Sequence, residues 1–246
     1  MKKTLTAVIL GILSSYAVVL TAYASVTYNW ENNAYAQTAA TSATVSKGDN
    51  AISQKDLLLA VVCAANSTTD PGTISSPGWT GQAGEWVKPS DGAGVRCWVA
   101  TKIAGANEPV NYTFSWKNSN IFSWVLLDYG PVNTSNPIDG SVGDTQHTSG
   151  YTGSIVAPSI SPSGKDSTLI SLWTFPASGT TNCGKGCSVT MRVNQHATTT
   201  TSPWIGVGDL QLNAAGETET QTITYQYSVQ AYQAISLALQ PSSPEK

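Results

Sequence analysis

Residues 56–65, DLLLAVVCAA, form an almost unbroken apolar run in an otherwise polar stretch. A run that short and that rich in Val and Leu predicts a strand buried on both faces. Elsewhere the pattern alternates. Residues 110–116 place Tyr112, Phe114 and Trp116 between polar neighbours, and residues 95–103 put Val95, Cys97 and Val99 on one face. Residues 25–35 read as an opening edge strand, residues 38–46 as an exposed second strand, and residues 121–129 as another apolar one. Further strands are predicted over 154–160, 167–175, 189–195, 205–212, 220–229 and 232–239. The connections are rich in Gly, Pro, Asn and Asp. In Asp70-Pro71-Gly72, for example, proline presets φ and glycine accepts a positive one. No segment carries a helical period. The chain is expected to be all-β, a single antiparallel β-sandwich or jelly roll.

The apolar run has a partner. DSTLISLWTF begins at Asp166, 110 residues after Asp56, and the same offset relates Thr80 to Thr190 and Phe122 to Tyr232. Between them an offset of 111 pairs Gly105 with Gly216, Glu108 with Glu219, Thr113 with Thr224 and Phe114 with Tyr225. Recurrence at a nearly fixed period is the signature of an internal repeat. Two pseudo-symmetric repeats are expected, about 25–136 and 137–242. Each has too few strands to bury its apolar sheet face alone, so the two are expected to pack face to face in one domain.

The first 24 residues stand outside this pattern. Lys2 and Lys3, the apolar stretch 5–20 and Ala22-Tyr23-Ala24 have the order of a secretory signal peptide. A retained anchor is the alternative reading of that segment. No later segment is long and apolar enough to span a membrane as a helix, and the tail 243–246 is expected to fray. Cleavage before Ser25 lowers the 12 basic residues to 10 against 15 acidic ones. Charged residues are 11% of the chain, far below the usual quarter or so. With no basic run, nucleic acid and anionic membrane are poor partners. The chain is therefore expected to be exported, and either secreted or held at the cell surface.

Four cysteines in an exported chain favour disulfides. Cys63 and Cys97 lie in apolar strands, where a bridge can join neighbours, and Cys183-Gly-Lys-Gly-Cys187 is a short loop that glycine allows to close. Those two pairings are favoured over a zinc site, because a C-x3-C spacing without nearby histidines is a poor metal motif. Asp139, Asp144 and Asp70 offer loop carboxylates for a structural calcium ion, although without the alternating spacing of a calcium loop. Otherwise no cofactor is implied.

Catalytic groups are sparse. His147 and His196 lie in Thr- and Ser-rich segments. Glu217 and Glu219 fall in a turn, and Glu31, which follows Trp30 and precedes Tyr35, is the least implausible acid near aromatics. No serine-nucleophile or phosphate-loop pattern occurs. What remains is aromatic surface. Trp79, Trp86 and Trp204 lie beside or near Pro or Gly in connecting segments, where a ring can stay exposed and stack on a sugar. The alternative is that these rings close the open ends of the sandwich. Trp98, Trp124 and Trp173, on central strands, are expected in the core.

Several stretches occur together in order: DLLLAVV at 56–62, SPGWT at 76–80, VATKI at 99–103, EPVNYTFSW at 108–116 and NPID at 136–139. In these the chain resembles a recurrent β-sandwich module of bacterial secreted proteins and phage structural proteins. The resemblance covers nearly all of the chain after residue 24. It implies a jelly-roll-like fold and use at a cell or virion surface, and it supplies no catalytic residue; the cysteines depart from its pattern. The expected function is a secreted, non-catalytic surface or binding module, with carbohydrate as ligand through Trp79, Trp86 and Trp204. One alternative is a self-associating structural subunit of a cell-surface or virion-like assembly. Another is an extracellular polysaccharide-active enzyme.

Overall fold

The apolar and alternating runs become strands, and all the strand ladders are antiparallel. A computed structural model describes residues 25–88, 92–176, 181–195 and 202–242. The expected signal peptide, the tail 243–246 and His196 lie outside the described residues. Among those residues there is no helix. The first half holds β1 (Thr27–Tyr35), β2 (Ala40–Ser46), β3 (Leu57–Ser67), β4 (Thr80–Ala83), β5 (Trp86–Val87), β6 (Gly94–Ile103) and β7 (Asn111–Gly130). The second holds β8 (Gly143–His147), β9 (Thr152–Ala157), β10 (Thr168–Phe175), β11 (Thr181–Cys183), β12 (Thr190–Gln195), β13 (Trp204–Gln211), β14 (Gln221–Val229) and β15 (Tyr232–Leu239).

Residues 110–116 and 121–129 read as separate strands in the sequence, yet they form the single strand β7. Its first part pairs with β2 and its last part with β1 and β3, so it turns a corner between two layers. Asn118 and Asn120 sit at that corner, and their side-chain amides donate to the carbonyls of Asp70 and Thr69. In the second half the corresponding path is broken at Gln230 and Ala231 into β14 and β15.

The two halves share one topology. The first sheet runs β1-β7-β3-β6-β4 and the second β8-β15-β10-β13-β12, with β2 and the first part of β7 matched by β9 and β14. Registers match as well. Leu57 faces Tyr129 and Ile103, as Thr168 faces Leu239 and Gln211. The irregularity between Gly81 and Ala83 in β4 recurs between Met191 and Val193 in β12. By register Asp56 therefore corresponds to Ser167, one residue away from the Asp166 that the sequence suggested. Side-chain parity requires this shift. Leu57, Leu59 and Val61 face the shared core, as do Ile170 and Leu172, which lie 111 residues after Leu59 and Val61. Lys55 and Asp166 then become equivalent, and both have a positive φ, 77° and 67°.

Three cores result. The central one joins the two sheets face to face through Leu57, Leu59, Val61, Val125 and Leu127 on one side and Ile170, Leu172, Val207, Ile235 and Leu237 on the other. Each sheet also buries its second face under a cover of its own half. Phe114, Trp116 and Val45 cover Leu58, Ala60 and Leu126, while Ile155, Ile223 and Tyr225 cover Trp173, Phe175 and Trp204. The expected packing of two bare halves is thus extended to four layers. At 1.5–3 kcal/mol for each fully buried large apolar side chain, each of these cores contributes on the order of 10 kcal/mol or more before chain entropy is subtracted.

Both disulfides join the expected partners. Cys63 and Cys97 are directly opposite in the β3–β6 ladder and fully buried. Cys183 and Cys187 close the loop after β11.

Candidate functional site

The three tryptophans expected to bind a ligand are drawn inward. Trp204 is fully buried: its ring stacks on Phe175 at 4.8 Å, and its Nε1 donates to Asn194 Oδ1 at 3.2 Å. The ring lies over Gly206, where a Cβ would come within 2.0 Å of it. Trp79 is 9% exposed and packs edge-on against Tyr112, beside Phe114. Trp86 is half-buried with its ring over Gly94, where a Cβ would sit 2.4 Å away. Gly206 and Gly94 thus make room for the Trp204 and Trp86 rings and do not mark exposure. The three rings do not form one surface, and Trp79 and Trp204 present no open face.

Tyr151 and Tyr227 carry the exposed rings, at 70% and 67% exposure. Tyr227 lies within an irregularity of the β9–β14 ladder, where pairing jumps from Thr224 opposite Ser154 to Val229 opposite Thr152, and Tyr151 immediately precedes Thr152. Gly153 occupies this break, and a Cβ there would press on the carbonyl oxygens of Tyr227 and Tyr225. Around the two tyrosines the outer sheet is free of charge. The strands β9, β11 and β14 contain no Asp, Glu, Lys or Arg. Asn182, Thr224 and Ser154 lie side by side across that sheet with their side chains exposed. The opposite outer face is similar. Ser42 pairs with Ser115 and Thr44 with Thr113, all four are exposed, and neither β2 nor residues 111–116 contain a charge.

Two open clefts occupy equivalent places. One, about 440 Å³, lies where β4 and β6 meet the segment joining the halves, and its rim includes Thr80, Gln82, Thr101 and Asn136. The other, about 460 Å³, lies where β12 and β13 meet the start of β1, with Thr190, Arg192 and Asp209 in the matching positions. In the first, Gln82 Nε2 donates to Thr101 Oγ1 at 2.8 Å. In the second, an ion pair replaces that bond: Arg192 Nε donates to Asp209 Oδ2 at 2.8 Å, and the guanidinium lies 4.5 Å from the centre of the Tyr28 ring. Tyr129 Oη also donates to Asp209, at 3.3 Å. Burial, with the Asp209 charge next in importance, pushes the Tyr129 hydroxyl well above its usual pKa.

The first half also buries an acidic pair. Asp128 is 1% exposed on β7, and its Oδ1 has no donor. Burial, and after it the charge of Asp56, pushes its carboxyl up to about 7. Asp56 is itself raised by burial and accepts from Asn29 Nδ2 at 3.3 Å. Nearby, Glu108 is bound by Lys102, by Tyr112 Oη at 2.7 Å and by the Gly105 amide at 2.6 Å. These bonds hold its carboxyl below the usual range even though burial is the largest single influence and acts the other way. Sequence reasoning missed Asp56 and Asp128; the available signal was an acid at the edge of an apolar run, DLLL and VLLDY.

The remaining candidates are dispersed. Asp139 accepts from the Ser163 and Gly164 amides and from the hydroxyls of Ser163 and Ser167, so protein donors hold both its oxygens. Asp70 caps the Gly72 amide and pairs with Arg96, and Asp144 accepts from Gln233. These three aspartates do not share one site, and among the described residues no cluster of three His, Cys, Asp or Glu is placed to hold a metal. His147 ends β8 and stacks on Tyr232 at 5.1 Å. Glu217 accepts from Ser159 in an exposed turn. Glu31 and Arg192 line a shallow cleft between β1 and β12. Among the described residues no helix is long and apolar enough to cross a membrane. Comparison of the chain with protein-family models, curated proteins and solved structures found no match to any of them.

Proposed function

We propose that the chain is an exported, non-catalytic module that binds neutral polysaccharide on its outer sheets, with Tyr151 and Tyr227 as the stacking rings. The observation that carries this reading is the absence of charge from the outer strands of the second half, with two well-exposed tyrosines at the break in their ladder and exposed hydroxyl and amide side chains on the same strands. A sugar polymer offers hydroxyls along its edges and C–H groups on its faces. Neutral Ser, Thr, Asn and Gln side chains match the first, and flat rings match the second. Export fits the two disulfides. The reading is also compatible with the surface use implied by the resemblance to secreted and phage β-sandwich modules.

The test is retention on a panel of insoluble neutral polysaccharides. The wild-type chain is expected to be retained, and Tyr151→Ala with Tyr227→Ala to weaken retention at least about tenfold. Retention unchanged in the double variant would rule out this face. A second reading, a self-associating surface subunit, draws support from the two similar uncharged faces on opposite sides of the four-layer stack. Ordered assembly at high concentration, with no retention on any polysaccharide, would favour it.

A further inference from the structure

We propose that the cleft between β4, β6 and the segment joining the halves is a separate small-molecule site that takes one neutral sugar ring or a polyol of similar size. Its apolar lining comes from Ile103, Pro137 and Ile138, with the buried Leu57 behind them, and its neutral polar lining from Thr80, Gln82, Thr101 and Asn136. A sugar ring has the same division, with apolar C–H faces and hydroxyl edges. Because Gln82 Nε2 donates to Thr101 Oγ1, the Gln82 carbonyl is left as an acceptor and the Thr101 hydroxyl proton as a donor. A hydroxyl of the ligand uses both at once. Lys102 also lines the cleft, but Glu108 engages its ammonium, which lies 5.3 Å from the centre of the Tyr112 ring. The cation is thus neutralised within the protein, and the cleft does not select an anion. A volume of about 440 Å³ falls within the roughly 300–1,000 Å³ of small-molecule sites.

The equivalent cleft in the second half serves as an internal control. Its volume is nearly the same, about 460 Å³, but its polarity is inverted at matched positions. Thr168 and Gln211 stand where the first cleft has the apolar Leu57 and Ile103, and Arg192 with Asp209 stands where it has the neutral Gln82 and Thr101. These groups bond one another. Thr168 Oγ1 donates to Gln211 Oε1 at 3.0 Å, Gln211 Nε2 donates to the Asp166 carbonyl at 2.6 Å, and Arg192 is held by Asp209. A neutral ring entering there meets apolar surface from Val26, Tyr28 and Leu210, but the Tyr28 ring is covered by the Arg192 guanidinium and the ligand must compete with satisfied polar groups. Size and position are common to both clefts, so chemistry decides, and it assigns the ligand to the first alone.

The experiment is titration of the purified chain, by calorimetry and by saturation-transfer NMR, with glucose, galactose, mannose and N-acetylglucosamine, and with glucuronate and glucosamine as charged counterparts. Saturable one-to-one binding of at least one neutral sugar is expected. Thr101→Val, which removes the hydroxyl at nearly constant volume, and Asn136→Ala, on the exposed rim, should each weaken it about tenfold. Asn136→Ala keeps the test open if the buried Thr101 variant fails to fold. Arg192→Gln, in the second cleft, and the Tyr151→Ala/Tyr227→Ala pair, on the outer face, should leave binding within about twofold. The proposal fails if no neutral sugar binds saturably, or if the charged sugars bind as well as the neutral ones. It also fails if Thr101→Val and Asn136→Ala both leave binding unchanged, or if binding is lost in the Arg192 variant or the tyrosine pair. Loss in the Arg192 variant would assign the sugar to the second cleft, and loss in the tyrosine pair would assign it to the outer face.

Discussion

Asp128 shows how one residue sets a pH dependence. Its carboxyl is pushed up to about 7 by burial and by the neighbouring Asp56 charge, against 3.8 when unperturbed. Between these values the folded chain holds a proton that the unfolded chain has released. Stability from this group is therefore fully present below about pH 4 and is lost as pH rises toward 7. Asp128→Asn keeps the shape and removes the ionisation. The variant is expected to match the wild type near pH 4 and to exceed it by about 2–4 kcal/mol at pH 8. Urea unfolding of both chains across that range checks this; a difference that shrinks with rising pH would refute it. The residue scale was also where the sequence was least legible. Trp204 beside Pro203 and near Gly206 suggested an exposed ring in a connection, whereas Gly206 admits the ring to the core. A glycine near a tryptophan is ambiguous until the strand register is known. Tyr227 shows the converse ambiguity. In the alternation of YQY it belongs on the buried face with Tyr225, but the break opposite Gly153 turns it outward.

At the scale of elements most strands were legible, because continuous apolar runs and strict alternation leave little choice of conformation. The short edge strands β4, β5, β8 and β11 were missed; two to five residues carry too little periodicity. One of these edges explains a buried polar link. β4 ends opposite Val99 and β5 starts opposite Arg96, so the Cys97 amide has no ladder partner on that side. Gln233, fully buried on β15 of the facing sheet, supplies it: Oε1 accepts from the Cys97 N–H at 3.0 Å, while Nε2 donates to Asp144 at 2.9 Å. A gap in one edge is thereby closed by a side chain from the other half. Gln233→Leu would leave the Cys97 N–H buried without an acceptor. It is expected to cost about 1–3 kcal/mol, seen as a lower urea midpoint with an unchanged slope. No shift in midpoint would mean that the link contributes nothing to stability.

For the whole molecule, an all-β fold of packed antiparallel sheets was legible in the sequence, because the buried apolar runs are long and the alternating ones regular. The four layers were not, since a strand that turns a corner within β7 reads as two strands of one sheet. The layering has a direct consequence for whether either half folds alone. The covering sheets give each half a core of its own, so a free half is not simply a bare sheet. Separation would nonetheless expose Leu57, Leu59, Val61, Val99, Val125, Leu127 and Tyr129 on one piece, all fully buried in the intact chain. At about 1.5–3 kcal/mol each, that loss is on the order of 10–20 kcal/mol, as large as the 5–15 kcal/mol by which whole domains are stable. Partial burial in the unfolded chain lowers the figure but not below that range. Residues 25–136 expressed alone should therefore retain strand content by far-ultraviolet dichroism, yet lack fixed tertiary packing by the near-ultraviolet signal and bind a hydrophobic dye. Mixing them with residues 137–242 should restore the near-ultraviolet signal, because the faces lost by each piece are complementary. A soluble, cooperatively unfolding single half would show instead that the covering cores suffice. The central interface would then be a docking surface between two independent domains.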